Sequence, residues 1–452
     1  MSDIKGKDMT EGRPVSLILG FALPLLFGLL FQQLYSMVDT IIVGRYLGVD
    51  ALAGVGATGS LNFMINGFCM GLCAGFAIPV AHKFGAKDYK DMRRVIANAA
   101  ILSVLFAVVL TFIVHMVLRR VLVIMNTPEN IFDFSYDYIN IIFLGIPALI
   151  LYNLLSGIIR SIGDSKTPLY FLLLSSVLNI GLDLFFIISL DMGVAGAAYA
   201  TVLSQLISGL LCLVYMVKRF EILRIRKDEW SFNPGHCKNL LGMGVPMGLQ
   251  FSITAIGSVI LQSSVNGLGS LAVACVSTGG KVNMFMMCPL DALGTTMATY
   301  GGQNVGAKKL DRLTPGLLSS IALGTVYSVF AFILIFFCAE WIAALFVSDP
   351  SAEMLAMTRQ FLITNLAFFF FLALVNIVRY MIQGMGFSTF AILAGVFEML
   401  ARSVFGLFVV PALGFSAACF ASPMAWVAAD LFLIPAYIHV LKRLKLRLDY
   451  TE

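Results

Sequence analysis

The chain has 452 residues, 59% of them hydrophobic and only 12% charged, about half the charged share of a soluble domain. That composition excludes an ordinary water-soluble fold and points to a polytopic, all-α membrane protein in a lipid bilayer. The net charge of +5 is small, so the placement of basic residues says more than their number, and no nucleic-acid partner is expected.

A membrane-crossing helix needs about 20 apolar residues. Twelve such stretches are expected, near 15–43, 53–81, 95–118, 131–156, 168–190, 193–217, 239–266, 271–300, 316–338, 354–382, 388–410 and 414–441. A cleavable leader is not expected, since a polar segment precedes an apolar run too long for one. The first stretch, Pro24 to Gly48, organises the rest. It carries Gln32, Gln33 and Tyr35, and then Asp39, one helical turn after Tyr35 on the same face. A carboxylate inside a span costs roughly 3 kcal/mol on insertion scales, so Asp39 is expected to face an ion, a partner or a cavity. Pro24 removes a backbone hydrogen bond and is a hinge candidate.

In the second stretch, Gly54-x-Gly56-x-x-Gly59 fits the dinucleotide fingerprint, but no βαβ unit surrounds it. Close helix packing is the expected role, continued by Gly67, Gly71 and Gly75. Cys69 and Cys73 are one turn apart and, like the other scattered cysteines, read as packing residues rather than a disulfide framework or metal site. No metalloprotease helix, nucleophile elbow or phosphate loop is present, so an enzyme is not expected.

The basic residues set the orientation. Of 30 Lys and Arg, 23 fall on one expected side: the N-terminal tail, alternate loops, the segment 218–238 and the C-terminal tail. Only Arg45, Arg119, Arg120 and Arg359 fall on the other side, while Lys281, Arg379 and Arg402 lie within spans. Both termini are therefore expected in the cytoplasm. An internal repeat divides the chain. Phe84-Gly85-Ala86-Lys87 matches Val305-Gly306-Ala307-Lys308, and Leu47-Gly48 matches Leu268-Gly269, both at a shift of 221. Pro24 matches Pro246, and Gly163-Asp164-Ser165 matches Gly386-Phe387-Ser388. Two pseudo-symmetric six-helix bundles are expected, over 1–217 and 239–452, joined by a basic cytoplasmic linker over 218–238 and suited to rocking about a central cavity.

Counting residues from the expected outer turns puts Asp39, Asp183 and Thr201 at one depth, roughly 10–12 Å below the outer surface. Asn179 is one turn from Asp183, and Ala197 is one turn from Thr201. Two carboxylates, an amide, a hydroxyl and a helix carbonyl can thus converge. Such a set can hold Na⁺, or the two acids can hold a proton; the alternative is a buried network that only fixes packing. Gln33, Tyr35, Met64, Asn153, Met287 and Asp291 are candidates for a substrate cavity. Lys281 and Asp291 share a span but are ten residues apart. Glu398 and Arg402 form an i, i+4 pair expected to neutralise itself, and Asp430 has no evident partner.

The chain resembles the multidrug and toxic compound extrusion (MATE) transporters, in particular bacterial drug-efflux members. The residues that carry the likeness are Pro24 with Gln32-Gln33-Leu34-Tyr35-Ser36-Met37-Val38-Asp39-Thr40 and Val43-Gly44-Arg45, then Gly85-Ala86-Lys87, Arg160-Ser161-Ile162-Gly163-Asp164, Asn179 with Asp183, and Gly302-Gln303-Asn304-Val305-Gly306-Ala307. The resemblance covers nearly the whole chain. It implies a V-shaped pair of bundles in the cell membrane, exporting amphipathic, often cationic, organic compounds against inward Na⁺ or H⁺, without a cofactor and as a monomer. It also implies a first-lobe cation site at Asp39, Asn179, Asp183 and Thr201 with the Ala197 carbonyl. Some members use acids on spans seven and ten; here span seven offers Gln250 and Gln262, and span ten offers Asn376. The rival readings are a lipid-linked precursor flippase of the same wider superfamily, an intramembrane enzyme, and a channel or non-transporting receptor.

Overall fold

A computed structural model describes residues 6–125, 127–346 and 351–449. It is helical throughout, with no strand among the described residues. In order the α-helices are α1 (Pro14–Leu47), α2 (Val49–Ala57), α3 (Gly59–Gly85), α4 (Tyr89–Ile124), α5 (Glu129–Leu144), α6 (Ile146–Ser161), α7 (Lys166–Leu184) and α8 (Gly193–Arg219). They continue with α9 (Pro234–Asn266), α10 (Ser270–Gly306), α11 (Leu313–Ala344), α12 (Ala352–Ala367), α13 (Phe369–Gly384), α14 (Ser388–Val404), α15 (Val410–Leu413) and α16 (Phe415–Asp449). In hydrocarbon every backbone N–H and C=O must be satisfied within the segment, and long apolar runs meet that demand as helices. Where the chain meets water, polar side chains take over. Asp88 caps α4 by accepting from the Asp91 N–H at 3.1 Å, and Ser351 caps α12 by accepting from the Met354 N–H at 3.2 Å.

Among the described residues ten helices are long and apolar enough to cross a membrane, or twelve when each of two bent pairs is taken as one span. The bends, α5 to α6 and α12 to α13, are both 47°. Pro147 explains the first, since it lacks a donor for the preceding turn and its ring displaces a carbonyl. The second follows Asn365, whose side-chain amide bonds the Phe361 carbonyl on its own helix and the Cys419 carbonyl on α16.

The internal repeat is written into the backbone. Positive φ recurs at Gly48 and Gly269, at Lys87 and Lys308, at Gly163 and Gly386, and at Gly193 and Gly414. Lys87 sits in the left-handed region because it closes a helix end: its N–H bonds the Phe84 carbonyl, and the Asp88 N–H bonds that of Lys83. Lys308 and Lys309 repeat both bonds, to Val305 and Asn304. A π-helical turn at Phe185–Ser189 recurs at Phe405–Val409.

The helices form two compact units. The first holds the described residues of 1–8 and 27–248; the second holds those of 9–26 and 249–452. Helices α1 and α9 therefore each begin in one unit and end in the other, and the segment 218–238 belongs to the first. In the first unit α3 packs on α6 and α7 on α8; in the second, α10 packs on α13 and α14 on α16. In the small-residue seam, Gly71 and Gly75 approach another helix closely. A Cβ on Gly75 would stand 2.5 Å from the Gly244 Cα, so α3 and the first half of α9 meet backbone to backbone. Gly54 lies equally close to Phe134 on α5, whereas Gly56 and Gly59 face open space.

The 218–238 segment is pinned to α4. Arg93 clamps Glu229 with three hydrogen bonds of 2.7–3.0 Å, and the Asn98 side chain bonds the Ser231 carbonyl and the Asn233 N–H. The Arg93 guanidinium holds the Glu229 carboxyl down at about 2.

Candidate functional site

Three helices of the first unit build the site. Helix α1 supplies Tyr35 and Asp39, α7 supplies Asn179 and Asp183, and α8 supplies Ala197 and Thr201. The turn between α7 and α8 reverses the chain through two left-handed residues, Asp191 and Gly193, which lays α8 back along α7. The π-turn begins two residues after Asp183, where the α ladder is already interrupted.

Asn179 donates from Nδ2 to Thr201 Oγ1 at 3.3 Å, and Thr201 donates its hydroxyl to the Ala197 carbonyl at 3.1 Å. Each donor is thus turned away from Asp183, and the acceptors are left over. Asn179 Oδ1, both oxygens of Asp183 and Asp39 Oδ1 are all buried with no hydrogen-bond partner. Asp183 is fully buried, and Asp39 lies within hydrogen-bonding reach of it. Tyr35 and Tyr138 border both carboxyls. Tyr138, on α5, was not singled out in the sequence, where nothing distinguishes it from the other aromatic residues of its stretch.

Asp183 is buried and Asp39 half-buried beside it, and with no donor on three of their oxygens the two cannot both stay charged and bare; leaving the buried one so would cost several kcal/mol. A shared proton or a bound monovalent cation removes that cost. The donor set is all oxygen, which suits a hard cation. Asp39, Asn179, Asp183, Ala197 and Thr201 are therefore brought together, as a set whose surplus acceptors fit Na⁺ or a proton.

The substrate-cavity candidates divide. Gln33 and Tyr35 on α1, Met64 on α3 and Asn153 on α6 belong to the first unit and are half-buried. Asn153 commits one amide proton to the Leu149 carbonyl at 2.8 Å. Met287 and Asp291 on α10 belong to the second unit, where Asp291 accepts from Asn376 Nδ2 at 2.9 Å. Lys281 is exposed. The hinge candidate Pro24 lies inside α1, which remains one helix through it.

The second unit has a polar network of its own. Glu398 on α14 binds two arginines: Arg379 on α13 and, at 3.3 Å, Arg402 on its own helix. The expected i, i+4 pair is real, but a third charge joins it. Gln383 donates to Gln250 at 2.7 Å and Gln262 donates to Asn266 at 2.9 Å, so both amides that stand on span seven are already engaged.

The family model described as MatE matches residues 24–185 and 246–418. A probable multidrug resistance protein of Bacillus subtilis (strain 168), YoeA, is 31% identical over 343 residues, 74% of each chain. A second from the same organism, YpnP, is 31% identical over 384 residues, 83% of each chain. Among solved structures, an outward-facing conformation of a multidrug resistance MATE family transporter of the MOP superfamily matches with a TM-score of 0.92 at 24% identity, covering 98% of this chain and 100% of that one. That likeness is one of fold.

Proposed function

The chain belongs to the MatE family, and on that premise we propose that it is a secondary active multidrug exporter, carrying amphipathic, often cationic, organic compounds out in exchange for Na⁺ or H⁺. One observation supports this reading most: Asp183 is fully buried with neither oxygen hydrogen-bonded, beside Asp39 and the free carbonyl oxygen of Asn179. A group so placed is stable only while something positive is bound, and that is what a coupling site needs. The names of the Bacillus relatives, probable multidrug resistance proteins, agree with it.

In this account the coupling ion enters at Asp39 and Asp183, with Asn179 Oδ1, Thr201 Oγ1 and the Ala197 carbonyl completing its shell. A protonated acid pair does the same work through one shared hydrogen bond. Either form neutralises the first unit's deepest negative charge and weakens its hold on a cationic substrate, so ion entry favours substrate release. Gln33, Tyr35, Met64 and Asn153 are the first unit's substrate contacts, and Met287 and Asp291 the second unit's. The protein acts as a monomer in the cell membrane, with the side that holds 23 of the 30 basic residues, both termini included, facing the cytoplasm.

Reconstitution tests the reading. Proteoliposomes loaded with a fluorescent organic cation should expel it when an Na⁺ or a proton gradient is imposed, and one of the two gradients should suffice alone. Efflux that is indifferent to both gradients would refute antiport.

A further inference from the structure

We propose that Asp430, in the second unit, is a second proton-binding carboxyl, separate from the Asp39 and Asp183 pair. Asp430 lies on α16 and is 3% exposed, and no hydrogen-bond donor reaches either of its oxygens. The charged groups that bear on it are Arg379 from α13 and Glu398 from α14. Helix α12, which also packs on α16, carries only Glu353 and Arg359, and neither bears on it.

The charge balance of the cluster assigns the proton. Arg379 and Arg402 bring two positive charges. Glu398 answers both guanidiniums, and Asp291, held by Asn376, lies within the field of Arg379. Two cations and two partnered carboxylates already balance. Asp430 is the third acid and the one without a donor, so a proton on it keeps the buried cluster neutral.

The same cluster can release that proton. Arg379 Nε and Arg402 Nη1 are buried donors with no partner. Once Asp430 is ionised, Arg379 has a reason to leave Glu398, which retains Arg402. The carboxyl O–H bond breaks, the proton leaves to water, and the guanidinium supplies the missing N–H to the carboxylate. The Arg379–Glu398 pair therefore goes with protonated Asp430, and an Arg379–Asp430 pair with its ionised form.

Infrared difference spectroscopy of the purified full chain between acid and alkaline buffer reads this without any transport step, so its outcome is independent of the exporter reading. The Asp39→Asn/Asp183→Asn double variant should keep a protonated-carboxyl band that disappears on alkalisation, and adding Asp430→Asn, which keeps shape and neutrality, should remove it. Glu398→Gln frees Arg379 for Asp430 and should move the loss of that band to lower pH. A band unchanged by Asp430→Asn, no band at all in the Asp39/Asp183 background, or a band that never titrates while the protein stays folded would each overturn the proposal.

Discussion

Gly406 stands in the second unit where Asp183 stands in the first. A Cβ on Gly406 would meet the Ser264 hydroxyl oxygen at 3.0 Å, the Leu261 Cα at 3.5 Å and the Ile260 carbonyl oxygen at 3.6 Å. Ile260 and Leu261 are the positions that the repeat sets opposite Asp39. The place that holds two carboxyls in one unit is thus filled in the other by close packing of Gly406 on α9, where the one side-chain oxygen, that of Ser264, is bonded to the Ile260 carbonyl. Asn179 likewise corresponds to Arg402, which is committed to Glu398, and Thr201 to Ser422.

The proposed coupling through the oxygen cluster is therefore expected to belong to the first unit. Ser422→Ala should leave gradient-driven efflux within about twofold of the parent, while Thr201→Ala, which removes a proposed cation ligand and Asn179's acceptor, should reduce it tenfold or more, the loss of roughly 1.4 kcal/mol of ion binding. Initial efflux rates at matched expression decide it, and equal losses from the two substitutions would contradict the assignment.

The glycine seam between α3 and α9 yields a stability prediction. A Cβ at position 71 would stand 2.7 Å from the Met247 carbonyl carbon and 2.9 Å from the Gly248 Cα, and backbone cannot step aside as a side chain can. Gly71→Ala should destabilise the protein by about 1–3 kcal/mol. Gly59→Ala, which meets nothing within 4 Å, should leave the apparent unfolding temperature in detergent unchanged or slightly raised.

The Arg93 clamp predicts how the 218–238 segment responds to acid. Glu229 is more acidic in the folded protein than in the unfolded chain, at about 2 against a usual value of about 4.3. The pairing therefore contributes fully above the unfolded value and is lost as pH falls toward 2. Hydrogen exchange around Lys227–Glu229 should stay slow at neutral pH and quicken only in strong acid. Glu229→Gln should make it fast at neutral pH, and slow exchange in that variant would show that other contacts hold the segment.

Pro24 leaves α1 continuous but one hydrogen bond short. If α1 bends as Asp39 changes occupancy, Pro24→Ala should lower turnover severalfold with little change in ion affinity. Turnover equal to the parent's at equal expression would rule out a required bend.

Much of this was legible in the sequence because it depends on local spacing. Tyr35 with Asp39, and Asn179 with Asp183, are one helical turn apart, and the helical period alone puts each pair on one face. Thr201 joined them by depth, which needs only a count from the turn at Gly193. The repeat exposed the second unit's missing acids. What could not be read rests on contacts between distant stretches. Glu398 showed its neighbour Arg402 four residues on, but not Arg379, 19 residues away on another helix. The division of α1 and α9 between two units is likewise a matter of which side chains they meet, and nothing in their own apolar runs marks where one unit stops.

The central claim is that Asp39 and Asp183 form one coupling site. Drug efflux from proteoliposomes under an imposed Na⁺ or H⁺ gradient, with Asp39→Asn, Asp183→Asn and the double variant at matched expression, tests it most directly. Each single substitution should abolish gradient-driven export while the protein stays folded, and the double should be no worse than either, because both acids serve one ion. Gradient-driven export persisting in the double variant would contradict the account and move the coupling site elsewhere, with Asp291 and Asp430 the first places to look.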